Sequence, residues 1–236
     1  MKYKNAFFVT GTGTGVGKTF ISIKIIEYFH KKKISIEAFK PILSGFNKKN
    51  ISDNDSSRLL IAANKKPTLE NISYITPWLF KKPLAPSVAA KYEKKYISYK
   101  ALQKWCHKRK KDSFYNYLLF EGAGGLMVPI EKRKTFIDLF KDLKFPIILV
   151  AGNYLGTISH TLSAIENLKN NNIEIINIVF NEGNYNKINY NENINLLKNS
   201  LKDKIQVRRF SKSKKLHENQ VSKIANDIIR YFKKMA

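Results

Sequence analysis

The sequence contains little cysteine, little acidic charge and no long apolar run. Cys106 is the only cysteine among 236 residues, which excludes an internal disulfide and is typical of a reducing compartment. No apolar run approaches the roughly eighteen residues of a membrane-spanning helix, and the run that starts at Ala6 is too short for a signal peptide. The four histidines are scattered without metal-ligand spacing. We therefore expect a cytoplasmic protein.

Basic residues far outnumber acidic ones. The 43 lysines and arginines and 18 aspartates and glutamates give a formal net charge of +25. Such an excess indicates either a nucleic-acid or anionic-membrane partner, or a composition in which Lys, Asn and Ile are inflated together. The lysines are spread over the whole chain and fall mostly in turns and at element ends, which favours the second interpretation. We expect neither nucleic acid nor membrane as a partner.

Short apolar runs rich in β-branched residues alternate with amphipathic helical patterns. The runs are AFFVTG, ISIEAFKP, YNYLLFEG, FPIILVAG and IEIINIVFN. This alternation predicts an α/β fold with a mostly parallel central sheet of about seven strands and helices on both faces. Because no repeat or flexible linker interrupts the pattern, residues 1–236 are predicted to form a single domain. Ligands of such sheets bind at the carboxyl ends of the strands, which fall at Gly11, Pro41, Glu121, Gly152 and Asn181.

The segment VTGTGTGVGKTF, between the first predicted strand and helix, is typical of a phosphate-binding loop. The dinucleotide fingerprint GxGxxG fails because Val16 stands at its third glycine position. The pattern G-x-x-x-x-G-K-[ST] fits through Gly17, Lys18 and Thr19, although Thr12 stands at its first glycine position. The backbone and the helix end would bind phosphates, Lys18 would reach the outer phosphates, and Thr19 would offer its hydroxyl to Mg²⁺. We expect a nucleoside triphosphate here, rather than a glycine-rich turn with a chance Gly-Lys-Thr.

Glu121 ends a predicted strand and precedes the small residues Gly122-Ala123-Gly124-Gly125. A carboxylate at this place is either a ligand that completes a Mg²⁺ site or only a helix cap. Opposite a phosphate-binding loop we favour the metal ligand. The small residues after it allow backbone to approach phosphate or substrate closely.

Lys40 ends the second predicted strand, where Pro41 breaks it, and Ser44 follows with an available hydroxyl. Lys40 is either an ordinary surface charge or a second cation that neutralises an anionic acceptor or a transferring phosphoryl group, and its position favours the second role. Asp53 and Asp55 open a later predicted helix. One of them faces the metal, or both only stabilise the helix dipole.

These segments, in this order, resemble the dethiobiotin synthetase family. The resemblance includes the phosphate-binding loop, KPILSG, the acidic helix start, TPWLFKKPLAPSVAA, EGAGGLMVPI, PIILVAGNYLGTISHTL and VFNE, and it covers about three quarters of the chain, from Lys4 to Glu182. EGAGG and LGTISH are distinctive together. The resemblance implies a P-loop fold and an ATP-dependent ligase of biotin biosynthesis. In this family CO₂ carbamylates an amine of diaminopelargonate, the carbamate takes the γ-phosphoryl group of ATP, and the second amine closes the cyclic urea of dethiobiotin.

The resemblance also implies cofactors, partners and roles for residues. ATP and Mg²⁺ are the expected cofactors, and a homodimer with its substrate site at the interface is the expected assembly. Lys40 and Lys18 are the expected catalytic residues, and Thr19, Asp55 and Glu121 the expected metal ligands. The expected ATP contacts are Gly15, Val16, Gly17, Lys18, Thr19, Phe20, Asp55, Glu121, Gly122, Ala123, Gly124, Asn181, which would read adenine, and Glu182. The expected substrate contacts are Thr14 and Ser44, with Gly156, Thr157 and Ser159 supplied across the dimer interface.

Some positions depart from the family's usual pattern. Gly13 and Gly15 stand where the family's loop usually has Asp and often Glu, and Ser87 stands where it often has His. The segment KIQVRRFSKSKK lacks the proline turn that usually covers adenine.

Three other interpretations compete with this one. A partition-type ATPase would use the basic surface, but the loop lacks the extra early lysine of such switches. An amidase-type ligase would need a glutaminase domain, for which the chain is too short. A third interpretation is a relative that keeps the fold but has lost catalytic turnover. It stays open because of Gly13, Gly15 and the altered C-terminal third.

Overall fold

The computed structural model describes residues 4–183, 189–201 and 205–235. The strands are β1 (Asn5–Gly11), β2 (Ile36–Phe39), β3 (Ile42–Ser44), β4 (Trp78–Phe80), β5 (Tyr117–Glu121), β6 (Pro129–Glu131), β7 (Lys134–Thr135), β8 (Ile147–Gly152), β9 (Ile175–Asn181) and β10 (Val207–Phe210). The helices are α1 (Lys18–Lys31), α2 (Asp55–Ala62), α3 (Leu69–Ile75), α4 (Pro86–Tyr92), α5 (Tyr99–Asp112), α6 (Phe136–Leu143), α7 (Thr157–Asn170), α8 (Tyr190–Ser200) and α9 (Lys214–Met235). Within these ranges no helix has both the length and the apolar character to cross a membrane.

Six strands form one parallel sheet in the order β10-β9-β8-β1-β5-β2. The predicted α/β fold is therefore confirmed, with six strands in the described sheet instead of the expected number of about seven. Pro41 lies between the end of β2 and the start of β3, and β3 pairs with β4 in a separate two-stranded sheet. The hairpin of β6 and β7 forms the other small sheet.

Helices cover both faces of the sheet, as predicted. Phe8 of β1 and Phe120 of β5 belong to a core that also contains buried residues of α5, α6, α7 and α8. The neighbouring Phe7 and Val9 belong to a second core with buried residues of α1 and α9. Successive strand residues therefore point into opposite cores, which explains why the strands read as nearly continuous apolar runs.

The parallel arrangement brings the carboxyl ends of the strands to one edge. Gly11, Glu121, Gly152 and Asn181 end β1, β5, β8 and β9, and Lys40 directly follows β2. The glycine-rich loop and the polar strand ends predicted to bind ligand therefore lie along a common edge of the sheet.

We predict that Phe8→Ala lowers the free energy of unfolding by about 3–5 kcal/mol, because a buried aromatic ring leaves a cavity when it is removed. The Phe8 ring centre lies 4.7 Å from that of Phe140 and 5.4 Å from that of Phe120. Denaturant unfolding measures the change. The control Phe114→Ala removes a ring that is 98% exposed. Equal losses for the two variants would contradict the described core.

Candidate active site

The loop between β1 and α1 is shaped by glycines at its end. Gly17 precedes α1 with φ 101° and ψ 20°, in the left-handed region. A Cβ at Gly17 would clash with Nδ2 of Asn181, and this amide donates a hydrogen bond of 3.0 Å to the Val16 carbonyl. Residue 17 therefore needs glycine both for its backbone angle and for the contact with β9. The N-terminus of α1 is held at the sheet edge, where free N–H groups favour an anion.

Lys18 crosses the loop from the first turn of α1. Its Nζ donates to the Gly13 carbonyl at 2.7 Å. Burial, followed by repulsion from Lys40, lowers the pKa of Lys18 to about 8, although Glu121 and Asp55 act in the opposite direction. A bound phosphate would add negative charge beside Lys18 and favour its protonated form.

Glu121 connects three segments of the site. Its side chain is fully buried, and Oε1 accepts hydrogen bonds from Thr19 Oγ1 at 2.7 Å and from Lys40 Nζ at 2.6 Å. Lys40 Nζ also donates to the Gly122 carbonyl at 3.0 Å and lies 3.2 Å from Asp55 Oδ2. Lys40 is therefore held by two carboxylates and one carbonyl, and is not an ordinary surface lysine.

The carboxylates keep Lys40 charged despite its burial. Burial alone lowers the pKa of Lys40, but the attraction of Glu121 and Asp55 outweighs it, so the pKa lies above its usual value. Burial raises the pKa of Asp55, and the attraction of Lys40 and the hydrogen bonds to Lys40 and Thr19 more than reverse this effect. Both groups are therefore ionised at neutral pH.

The oxygen atoms in this cluster fit a magnesium ion. Oε2 of Glu121 is buried and has no hydrogen-bond partner among the described residues. Thr19 and Asp55, which supply further oxygens, lie beside it. In the described ranges no three His, Cys, Asp or Glu side chains form a closed metal cage. Mg²⁺ typically binds one or two carboxylates together with water and substrate phosphates, which suits this open donor set.

A cavity of about 610 Å³ opens beside the cluster. Thr14, Lys18 and Lys40 line its polar side, and Ser44 Oγ is buried there without a hydrogen-bond partner in the described part of the chain. The remaining lining includes Ala123 and Gly124 and an apolar wall of Ile42, Leu43, Val128 and residues 83–86. The cavity can therefore take a ligand with charged groups at one end and an apolar part.

Asn181, the last residue of β9, and the following Glu182 lie near the end of the β1–α1 loop that leads into α1. The Asn181 amide is engaged with Val16, as described above. Glu182 Oε2 accepts hydrogen bonds from Ser211 Oγ at 3.1 Å and from the Lys212 backbone N–H at 2.8 Å. Phe20 lines the cavity, and its ring packs edge-on against Phe210, with centres 5.5 Å apart. These contacts attach the end of β10 and the segment after it to Glu182 and to the first turn of α1.

The start of α7 is separate from this cavity. Gly156 precedes α7 with φ 89°, and Thr157 is buried and donates to the Gly152 carbonyl at 2.5 Å. Ser159 is exposed. For the described residues of one chain, Gly156, Thr157 and Ser159 stand outside the cavity lining. Their predicted contact with substrate stays a prediction that involves a second copy.

Two parts of the cavity lining were given no role from the sequence alone. The apolar wall of Ile42, Leu43, Val128 and residues 83–86 lies within KPILSG, EGAGGLMVPI and KKPLAPSVAA, which contributed to the resemblance without individual roles for these residues. Arg58 also lines the cavity. The available signal was its position three residues after Asp55 in a predicted helix, since this spacing places two side chains on one helix face.

The fold is that of a P-loop nucleotide-binding protein. Its defining features are the parallel strands, the Gly-Lys-Thr loop between β1 and α1, and a carboxylate at the adjacent strand end. A family described as an AAA domain matches residues 5–218. The MinC:MinD cell division protein complex of Aquifex aeolicus has a similar fold, with a TM-score of 0.56 at 13% identity over 97% of this chain and 95% of that chain. A ParA family ATPase from Chlorobium tepidum TLS has a TM-score of 0.50 at 17% identity over 97% and 92%. At these identities the likeness shows the fold alone.

Curated relatives identify the family. The ATP-dependent dethiobiotin synthetase of Caulobacter sp. (strain K31) is 36% identical over 177 residues, which are 75% of this chain and 76% of the relative. The enzyme of the same name from Phenylobacterium zucineum is 39% identical over 73% and 74% of the two chains. That from Bacillus velezensis is 38% identical over 75% and 73%. The chain belongs to the ATP-dependent dethiobiotin synthetase family, which confirms the resemblance.

We predict that Gly17→Ala destabilises the protein by about 1–3 kcal/mol, because alanine is strained at this backbone angle. The new methyl group would also displace the Asn181 amide from the Val16 carbonyl. Thermal unfolding, with nucleotide binding as a second measurement, tests this. In the control Gly13→Ala, the added Cβ would meet no described atom within 4 Å. Equal stability of the two variants would contradict the described contact.

Proposed function

We propose that this chain is an ATP-dependent dethiobiotin synthetase. The reaction closes the cyclic urea of dethiobiotin from diaminopelargonate and CO₂ and releases ADP and phosphate. The observation that carries the proposal is the buried Lys40–Glu121 pair beside the Gly-Lys-Thr loop, in a chain of this family.

Positive charge is what the phosphoryl transfer requires from this site. A carbamate is an anion that attacks the terminal phosphate, itself an anion, so their approach needs fixed cations. We assign this role to Lys18 and Lys40. Lys40 is held by the protein's own Glu121, Asp55 and Gly122 carbonyl, so little reorganisation is needed during the reaction. Such preorganised electrostatics are commonly the largest contribution to catalysis.

The rest of the cavity suits the diamine. The apolar wall of Ile42, Leu43 and residues 83–86 can pack against the aliphatic part of diaminopelargonate. The buried Ser44 hydroxyl still has hydrogen-bonding capacity near Lys40, and we assign it, with Thr14, to contact the reacting end of the substrate. Binding in this orientation brings the carbamate close to the terminal phosphate, which lowers the entropic cost of the reaction.

The nucleotide is assigned to the loop and the adjoining strand ends. Backbone and side chains of residues 15–20 would hold the phosphates, with Gly122, Ala123 and Gly124 on their other side. Asn181 and Glu182 would contact the adenosine part. We assign Mg²⁺ to Thr19, Asp55 and Glu121, where the unpartnered Oε2 of Glu121 supports it. When bound, Mg²⁺ would neutralise charge on the phosphate oxygens.

We further propose a homodimer in which the α7 start of one subunit completes the cavity of the other. The N-terminus of α7 offers free N–H groups that suit the carboxylate of the substrate. Its residues Gly156 and Ser159 stand apart from the cavity of their own chain, and the adjacent Leu155 is 89% exposed. Contact with a second copy would account for both features.

We predict phosphate release that requires ATP, Mg²⁺, bicarbonate and diaminopelargonate together, with dethiobiotin detected by mass spectrometry. Lys40→Ala should lower kcat by roughly 10²–10³-fold, the typical effect of removing one preorganised electrostatic group. ATP affinity should change much less. The variant Lys40→Met, which keeps the length of the side chain, separates loss of charge from collapse of the cavity. The control is Lys108→Ala on α5, whose side chain is 71% exposed.

Two outcomes would overturn the proposal. The first is full activity in the folded Lys40 variants. The second is no diamine-dependent release by the wild type while DNA or anionic lipid stimulates ATP hydrolysis, which would support the partition-type interpretation.

Mixing two inactive variants tests the shared site. We predict that Lys40→Ala and Ser159→Glu homodimers are each inactive, and that subunit exchange restores about a quarter of wild-type activity. Random exchange makes half of the dimers mixed, each with one intact site of two. Failure to restore activity, with exchange verified by mass, would contradict a site completed by the partner.

A further inference from the structure

Arg58 is a cation of the cavity to which the proposed chemistry gives no role. It lies on α2, one turn after Asp55, and lines the same cavity as Lys18, Thr19 and Lys40. Arg58 therefore adds positive charge to the cavity at the sheet edge, although its side chain is partly exposed to solvent.

The guanidinium is held at the cavity rim by a weak contact. Nη2 of Arg58 lies 2.7 Å from Oδ1 of Asp53, and the two side chains are 55% and 63% exposed. Exposed ion pairs of this kind contribute little to stability. A phosphate group carries more charge than one carboxylate and offers the oxygen pair that a guanidinium binds in a bidentate manner. A phosphate in the cavity can therefore displace Asp53.

We propose that Arg58 is an additional phosphate-binding residue that exchanges Asp53 for an oxygen of the terminal phosphate of the bound nucleotide. In this exchange Asp53 is the counter-charge that the phosphate oxygen replaces. This inference rests on the proposed function in so far as the nucleotide is ATP.

Titration of the whole protein with MgATP and MgADP tests the inference without relying on turnover. Arg58→Gln should weaken MgATP binding roughly tenfold, as expected for loss of a charge-assisted hydrogen bond, and MgADP binding much less. The MgATP affinity of Arg58→Lys should lie between those of the wild type and Arg58→Gln, because lysine keeps the positive charge but lacks the paired N–H donors of the guanidinium. Asp53→Asn should leave MgATP affinity equal or higher, because it releases the guanidinium. Arg133→Gln, which removes an exposed arginine from the β6–β7 hairpin, is the matched charge control.

Three results would overturn the inference. One is MgATP binding by Arg58→Gln that equals that of Arg133→Gln. Another is an equal loss of MgATP and MgADP affinity in Arg58→Gln, which would exclude the terminal phosphate as the group that Arg58 contacts. The third is a loss in Asp53→Asn as large as in Arg58→Gln, which would show that the pair acts only by holding α2 in place. If the wild type makes no dethiobiotin, the proposed function fails, whereas the binding titrations still decide the role of Arg58.

Discussion

The contact between Lys40 Nζ and Glu121 Oε1 is the interaction on which the rest of the site depends. Their side chains are 4% and 0% exposed, so both charges have been taken out of water. The free energy lost by desolvating two charges can be as large as the free energy gained from their attraction. An apolar pair of similar size often stabilises a fold equally well. Stability alone therefore does not explain the pair. The proposed role of Lys40 would explain it, because phosphoryl transfer to an anion needs positive charge that is already in place.

The strand order is what makes this contact possible. β5 lies between β1 and β2, so its last residue, Glu121, is flanked by the loop that follows β1 and by Lys40 after β2. Thr19 and Lys40 consequently reach the same carboxylate oxygen from different segments. The second oxygen of Glu121 is buried and has no partner in the described ranges, and this observation supports the metal site proposed there. A change in strand order would separate these groups even if every strand and helix were kept.

This dependence also decides how much could be predicted from the sequence. The long strands were predictable because buried parallel strands are continuous apolar runs, and the loop before α1 because glycine and lysine spacing is tied to phosphate binding. Lys40 and Glu121 could be placed at strand ends, yet not paired, because the order of strands results from packing between distant segments. The three-residue strands β3 and β4 are too short to carry a periodic signal. Arg58 has the sequence context of an ordinary exposed helix residue, and only the cavity distinguishes it.

The charge of the whole chain and the charge of the site are separate properties. The formal net charge is +25, but the cavity contains three cations, Lys18, Lys40 and Arg58, facing Asp55, with Glu121 buried behind them. Three positive and two negative groups leave a small local excess of positive charge, and the two carboxylates determine where this charge lies. The rest of the positive charge lies mainly on exposed lysines, where solvent and salt screen it beyond about 10 Å. The chemistry assigned to the cavity therefore depends on the arrangement of five side chains, and the basic composition adds little to it.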